Sequence, residues 1–220
     1  MPRLLTALLA ATALTLPGVA AAEMELSFYT GVQGAFSSHV RGDAEGDDFD
    51  FLADWDGKSF EMPPHWGIRA TWWRSERLGF GVEFEHTKAY ATDDTMDDFK
   101  FETLEFTDGL NSLTANVFYR WPGLWADGRV TPYVGAGLGL AVPHVEVRRK
   151  GSRHETREYQ VAGPSAMIAA GASYAFNENW AVFGEYKSSF NFLKTDLDGG
   201  GELKSNISTW GVNIGLSYRF

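Results

Sequence analysis

Two glutamates, Glu83 and Glu85, stand two residues apart in a stretch whose side chains alternate between apolar and polar. On an extended chain that spacing puts both carboxylates on one face, where a pair could serve acid–base chemistry. Neighbouring alternating stretches carry Arg69, Arg120, Glu185 and Lys187 on the same kind of face, with Gln33, Asn116, Asn213 and Arg219. Two readings stand side by side. One is a catalytic group built on Glu83, Glu85 and Arg69; the other is an ion network that fills an interior. Charges taken out of bulk water must in either case be paired or hydrated.

The remaining chemistry sits between those stretches. Residues 40–65 and 90–112 are rich in Asp and Glu, which suits either capture of divalent cations or plain solvation. Arg148, Arg149, Lys150 and Arg153, with Arg157 and His154, make one basic cluster. Such a cluster grips phosphate and sugar carboxylate, or pairs with the acidic segments beside it. A divalent metal held by His39 and Glu85 is a further arrangement, since imidazole and carboxylate are both common ligands. No two histidines have a metal-motif spacing, however, and His86 and His144 share the parity of the apolar side chains. Asp196 to Glu202 contains three glycines and reads as a turn. The chain has no cysteine and shows no flavin, haem or nucleotide motif. Its net charge of −10 disfavours nucleic acid as a partner.

The elements that must position these groups are strands. In the last fifteen residues Trp210, Val212, Ile214, Leu216, Tyr218 and Phe220 share one parity, and Gly211, Asn213, Gly215, Ser217 and Arg219 the other. Eight segments follow this period of two: 26–39, 66–73, 78–89, 113–121, 130–147, 159–176, 180–192 and 207–220. The links between them alternate. Long ones cover 40–65, 90–112, 148–158 and 193–206, and short ones cover 74–77, 122–129 and 177–179. Residues 1–22, with Arg3, a short apolar run, Pro17-Gly18 and Ala20-Ala21-Ala22, read as a cleaved secretory signal. Residues 23–220 then form one domain.

These features predict an all-β fold: an eight-stranded antiparallel up-and-down transmembrane barrel with long external loops and short periplasmic turns. Tryptophans and tyrosines near the strand ends fit interfacial girdles. A soluble barrel with the apolar face inward would expose Gly135, Gly137, Gly139, Gly171 and Gly215 where a water-facing surface carries charge. The expected address is the bacterial outer membrane, with all five histidines toward the external side. Terminal Phe220, two residues after Tyr218, is similar to the final-strand signal read by the outer-membrane assembly machinery.

The stretches MELSFYTGVQGAFSSHVRGD (24–43), GIRATWW (67–73), LGFGVEFEHTKAYA (78–91), LEFTDGLNSLTANVFYRWP (104–122), VTPYVGAGLGLAVPHVEV (130–147) and FGEYK (183–187) resemble the outer-membrane lipid A oxidases. More loosely, the chain resembles the OmpA-like and OmpW-like small barrels. The first resemblance implies oxygen-dependent oxidation of the proximal glucosamine of 1-dephosphorylated lipid A to 2-aminogluconate, with a divalent metal. It also implies lipopolysaccharide as the partner, with Arg148, Arg149, Lys150 and Arg153 placed to grip lipid phosphate. The looser resemblance implies a non-catalytic surface barrel or a small-solute channel.

Overall fold

The computed structural model describes residues 23–220, so the predicted signal segment lies outside the described residues. The chain forms one antiparallel up-and-down sheet of twelve strands. They are β1 (Glu23–Ala35), β2 (Ser38–Ala44), β3 (Asp47–Ala53), β4 (Trp55–Asp56), β5 (Trp66–Trp73) and β6 (Leu78–Ala91). After a short helix, α1 (Asp93–Asp98), come β7 (Phe101–Arg120), β8 (Val130–Arg149), β9 (Thr156–Tyr159), β10 (Gly163–Ala175), β11 (Trp180–Asp196) and β12 (Gly201–Arg219). Each of β5, β6, β7, β8, β10, β11 and β12 pairs with the next, and β1 pairs with both β5 and β12. Following the hydrogen bonds from β1 therefore leads back to β1, and the sheet has no free edge along this path.

The expectation of eight strands is thus exceeded by four, all in segments read as loops or as strand ends. Residues 38–56 form a hairpin and a short strand: β2 pairs with the top of β12, and β4 with the top of β6. The predicted strand 159–176 is broken, with β9 pairing antiparallel with the top of β8 and β10 starting afresh at Gly163, whose φ of +148° favours glycine. Strands β7, β11 and β12 also begin or end well outside their predicted bounds. The three short turns fall where alternation stops, and Gly199 to Gly201, all at positive φ, close the β11–β12 hairpin.

Side-chain direction follows the period of two, but its chemistry inverts along each long strand. On β12 the inward residues run from Leu203 and Ile207 to Thr209, Asn213 and Ser217, all buried. The outward ones run from Lys204 and Asn206 to Val212, Ile214 and Leu216, the last three more than half exposed. The upper part is an ordinary apolar core in water, gathering Phe51, Trp55, Phe101, Leu104, Phe106, Val145 and Leu197. The lower part is polar inside and apolar outside, as lipid demands.

Candidate functional site

The lower lumen gathers the charges that the sequence placed on one face. Arg69 on β5 donates from Nε to Glu83 Oε2 at 2.7 Å, and from its two terminal nitrogens to Glu185 at 3.0 and 2.8 Å. Lys187 on β11 contacts Glu83 and the Tyr29 hydroxyl, and lies 3.0 Å from Glu85 Oε1. Asn116 donates to Glu83 at 3.0 Å, Ser189 to Glu85 at 3.0 Å, and Tyr133 to Glu185 at 2.9 Å. Every carboxylate here has a cation and a neutral donor. The geometry is that of a buried ion network in which each of these carboxylates is held by charged and neutral donors.

This network spans the lumen from β5 and β6 to β11. Below it lies a cavity of about 20 Å³ beside Arg69, Thr71 and Tyr133, room for a single water. Further down, Arg120 pairs with Glu23 at 3.2 Å and Arg219 with Glu25 at 2.9 Å. Above stands the apolar core. Glu83, Glu85 and Arg69 are therefore brought together on the inward face, as their shared parity predicts, with Lys187 joining the two glutamates.

His39 and Glu85 are not brought together. The His39 ring is exposed on β2 and sits 3.4 Å from Asp50, while Glu85 is buried and bound to Lys187 and Ser189. A metal does not fit this pair. The basic cluster is also engaged: Arg148 lies 3.2 Å from Glu102, and Lys150 lies 2.6 Å from Asp97. Arg149 turns over the Phe49 and Phe101 rings, and Arg153 is exposed. The cluster crowns β8 nine residues beyond Leu140, about 30 Å along the strand and clear of the apolar belt.

Two features were missed. His86 and His144 keep the outward parity expected of them, His86 inside the unbroken pairing of β6 with β7 and His144 next to the inward Val145, but neighbouring groups close over them and neither is open to lipid. Both rings are instead buried. His86 bonds Asn111 at 2.8 Å, and His144 lies beside Glu146 and Asp108. Nearby, burial and then the Glu146 carboxylate hold the Glu105 carboxyl above its ordinary range.

The other missed feature is a groove of about 740 Å³ on the outer wall, where the apolar belt ends. Lys194, Lys204 and Arg41 are cross-strand neighbours on β11, β12 and β2, so three cations stand in one outward row. His39, Leu52 and Phe192 line the same groove. Glu202 bridges Lys194 and Lys204, whereas Arg41 has no ion pair among the described residues. The sequence signal was faint, since all three of these cations lay in segments read as loops.

The shape has known counterparts. The crystal structure of the outer membrane protein OprG from Pseudomonas aeruginosa matches with a TM-score of 0.57 at 14% identity, covering 92% of this chain and 98% of that one. The solid-state NMR structure of outer membrane protein AlkL in lipid bilayers matches with a TM-score of 0.51 at 13% identity, covering 96% of each. At such identity these likenesses speak to fold alone. No curated protein matches in sequence. The model of the outer membrane protein beta-barrel domain matches residues 6–220, and the lower wall is polar inside and apolar outside. The chain belongs to the outer membrane protein beta-barrel domain family, and its place is the bacterial outer membrane.

Proposed function

We propose that the closed path of eight strands is a transmembrane barrel whose outer wall holds the anionic headgroup of lipid A. We propose further that the protein oxidises this lipid as the oxidases it resembles do. The observation that carries the lipid reading is the groove: Arg41, Lys194 and Lys204 form a cationic row directly above Phe192 and the apolar belt. Phosphate or carboxylate would meet the row while acyl chains lie along the belt below. The resemblance supports the oxidation. In that reaction C1 of the proximal glucosamine gives two electrons and two protons to O2, leaving as hydrogen peroxide. The resulting lactone adds water to become the aminogluconate, one oxygen atom heavier than the substrate. O2 chemistry of this kind calls on a metal or organic cofactor. Glu83, Glu85 and Arg69 serve as the plug that keeps the wall rigid, and Phe220, exposed beside Tyr218, is offered to the assembly machinery.

Reversing charge at Arg41, Lys194 and Lys204 is expected to weaken retention of 1-dephosphorylated lipid A at least tenfold, as loss of charge-assisted bonds of about 1.5–3 kcal/mol each requires. Native mass spectrometry of the purified barrel reads this, and unchanged retention would remove the groove from the account. Lipid A from cells with and without the assembled protein tests the reaction itself. Absence of the heavier product leaves the second reading, a non-catalytic envelope barrel, which the buried ion network of the lumen favours.

A further inference from the structure

Strand β8 carries His144 and Glu146 two apart, so both side chains leave the same face of the sheet. The β7 bulge swings Asp108 over that face, helped by Gly109 at φ +119°. Strand β9 locks the arrangement from the other side. The Tyr159 ring lies 4.7 Å from the His144 ring, and its hydroxyl donates to the Asp108 carbonyl at 2.9 Å.

Three ligand atoms converge as a result. His144 Nδ1 is 3.0 Å from Glu146 Oε1 and 3.7 Å from Asp108 Oδ2, and all three atoms lie within 4.8 Å of one another. Donors sharing one ion at about 2.0–2.2 Å stand roughly 3–3.5 Å apart in tetrahedral geometry. The His144 side chain is more than nine-tenths buried, yet among the described residues its Nδ1 makes no hydrogen bond. At 3.0 Å from a carboxylate oxygen this nitrogen is close enough but out of line. A lone pair aimed between two carboxylates is repelled unless a cation lies between them.

The surroundings supply little competition. Glu105 adds a third carboxyl nearby. Arg157 reaches Glu146 Oε2 only at 3.7 Å from a side chain that is largely exposed. Thr107 donates to Glu146 Oε1 at 2.8 Å, fixing the carboxylate in the manner of an outer-shell partner.

We propose that Asp108, His144 and Glu146 form a binding site for a divalent first-row transition metal on the outer wall of the sheet. The imidazole selects against calcium and magnesium, which take oxygen ligands. Three protein ligands leave a coordination position open, on the side where Asp108 is half exposed. That side continues the outward face of Leu138 and Leu140, so the open position looks toward lipid headgroups. The proposal is independent of whether lipid A is bound or oxidised.

Full-length mature protein, folded in detergent and stripped with chelator, is titrated with Zn²⁺ by calorimetry and with Co²⁺ by visible absorption. The expected result is one ion per chain, with Co²⁺ bands of a mixed nitrogen–oxygen site. His144→Ala should weaken Zn²⁺ binding at least tenfold, and Asp108→Asn should weaken it while keeping shape and folding. Heat-modifiable migration on a gel confirms that each variant is folded. Absent uptake, or uptake unchanged in both variants, overturns the proposal. So does Ca²⁺ displacing Zn²⁺ at equal concentration, which would assign the binding to the acidic outer segments instead.

Discussion

Replacing Arg69 with methionine is expected to destabilise the folded protein by about 3–5 kcal/mol, the cost of stranding buried charge. Among the described residues Arg69 is the only cation that Glu185 touches, through two hydrogen bonds, and the Glu185 side chain is fully buried. Without it, Glu185 keeps a single bond from Tyr133. Urea unfolding in micelles, followed by the gel shift between folded and unfolded forms, measures the loss. The double variant Arg69→Met with Glu185→Leu should regain much of it, because no orphan charge remains and the pair couples strongly. A single variant as stable as the parent would mean that water, not Arg69, solvates the lower lumen.

The second large effect lies on the opposite face. Leu138 is 73% exposed at the middle of the outward apolar run on β8, so in the membrane it faces acyl chains. Leu138→Arg should cost about 2–4 kcal/mol, the penalty for a cation near the bilayer midplane of a barrel. Asn206→Arg shares the outward direction on β12 but sits where the chemistry has inverted, and should cost no more than about 1 kcal/mol. Folding into vesicles under urea compares the two. Equal costs would place the bilayer surface elsewhere on the wall.

That inversion marks the boundary between what could be read and what could not. The alternation of Phe80, Val82 and Phe84 against Gly81, Glu83 and Glu85 was legible because a strand offers only two directions. The upper half hid in the same alphabet. Phe101, Leu104 and Phe106 face inward there, but a bulge and a helix interrupt the period, and the segment reads as a loop. The outward parity of His86 and His144 was legible, but the cover over them was not: Trp66 and Asn111 lie against His86, and Tyr159 and Asp108 against His144. Asp108 reaches His144 from the β7 bulge, and nothing in local composition announces where a bulge inserts its extra residues.

The pairings of the lumen were half legible. Glu83, Glu85, Arg69, Glu185 and Lys187 were assigned to one interior, and they meet there. Which acid meets which base was not assigned, since Arg69 and Glu185 are 116 residues apart and meet across the lumen from β5 to β11. The same holds for the groove, whose cations come from three strands, and for Asp108 beside His144.

Sequence alone determined the strands of the lower half, their two faces and the membrane address, because a period of two and the solvent on each side act on every residue locally. The tertiary structure decided the partners: Arg69 and Lys187 among three glutamates, a cationic row beside Phe192, and Asp108 against His144 and Glu146. Those depend on register between distant strands and on bulges that shift it. Both are set by how the whole sheet closes.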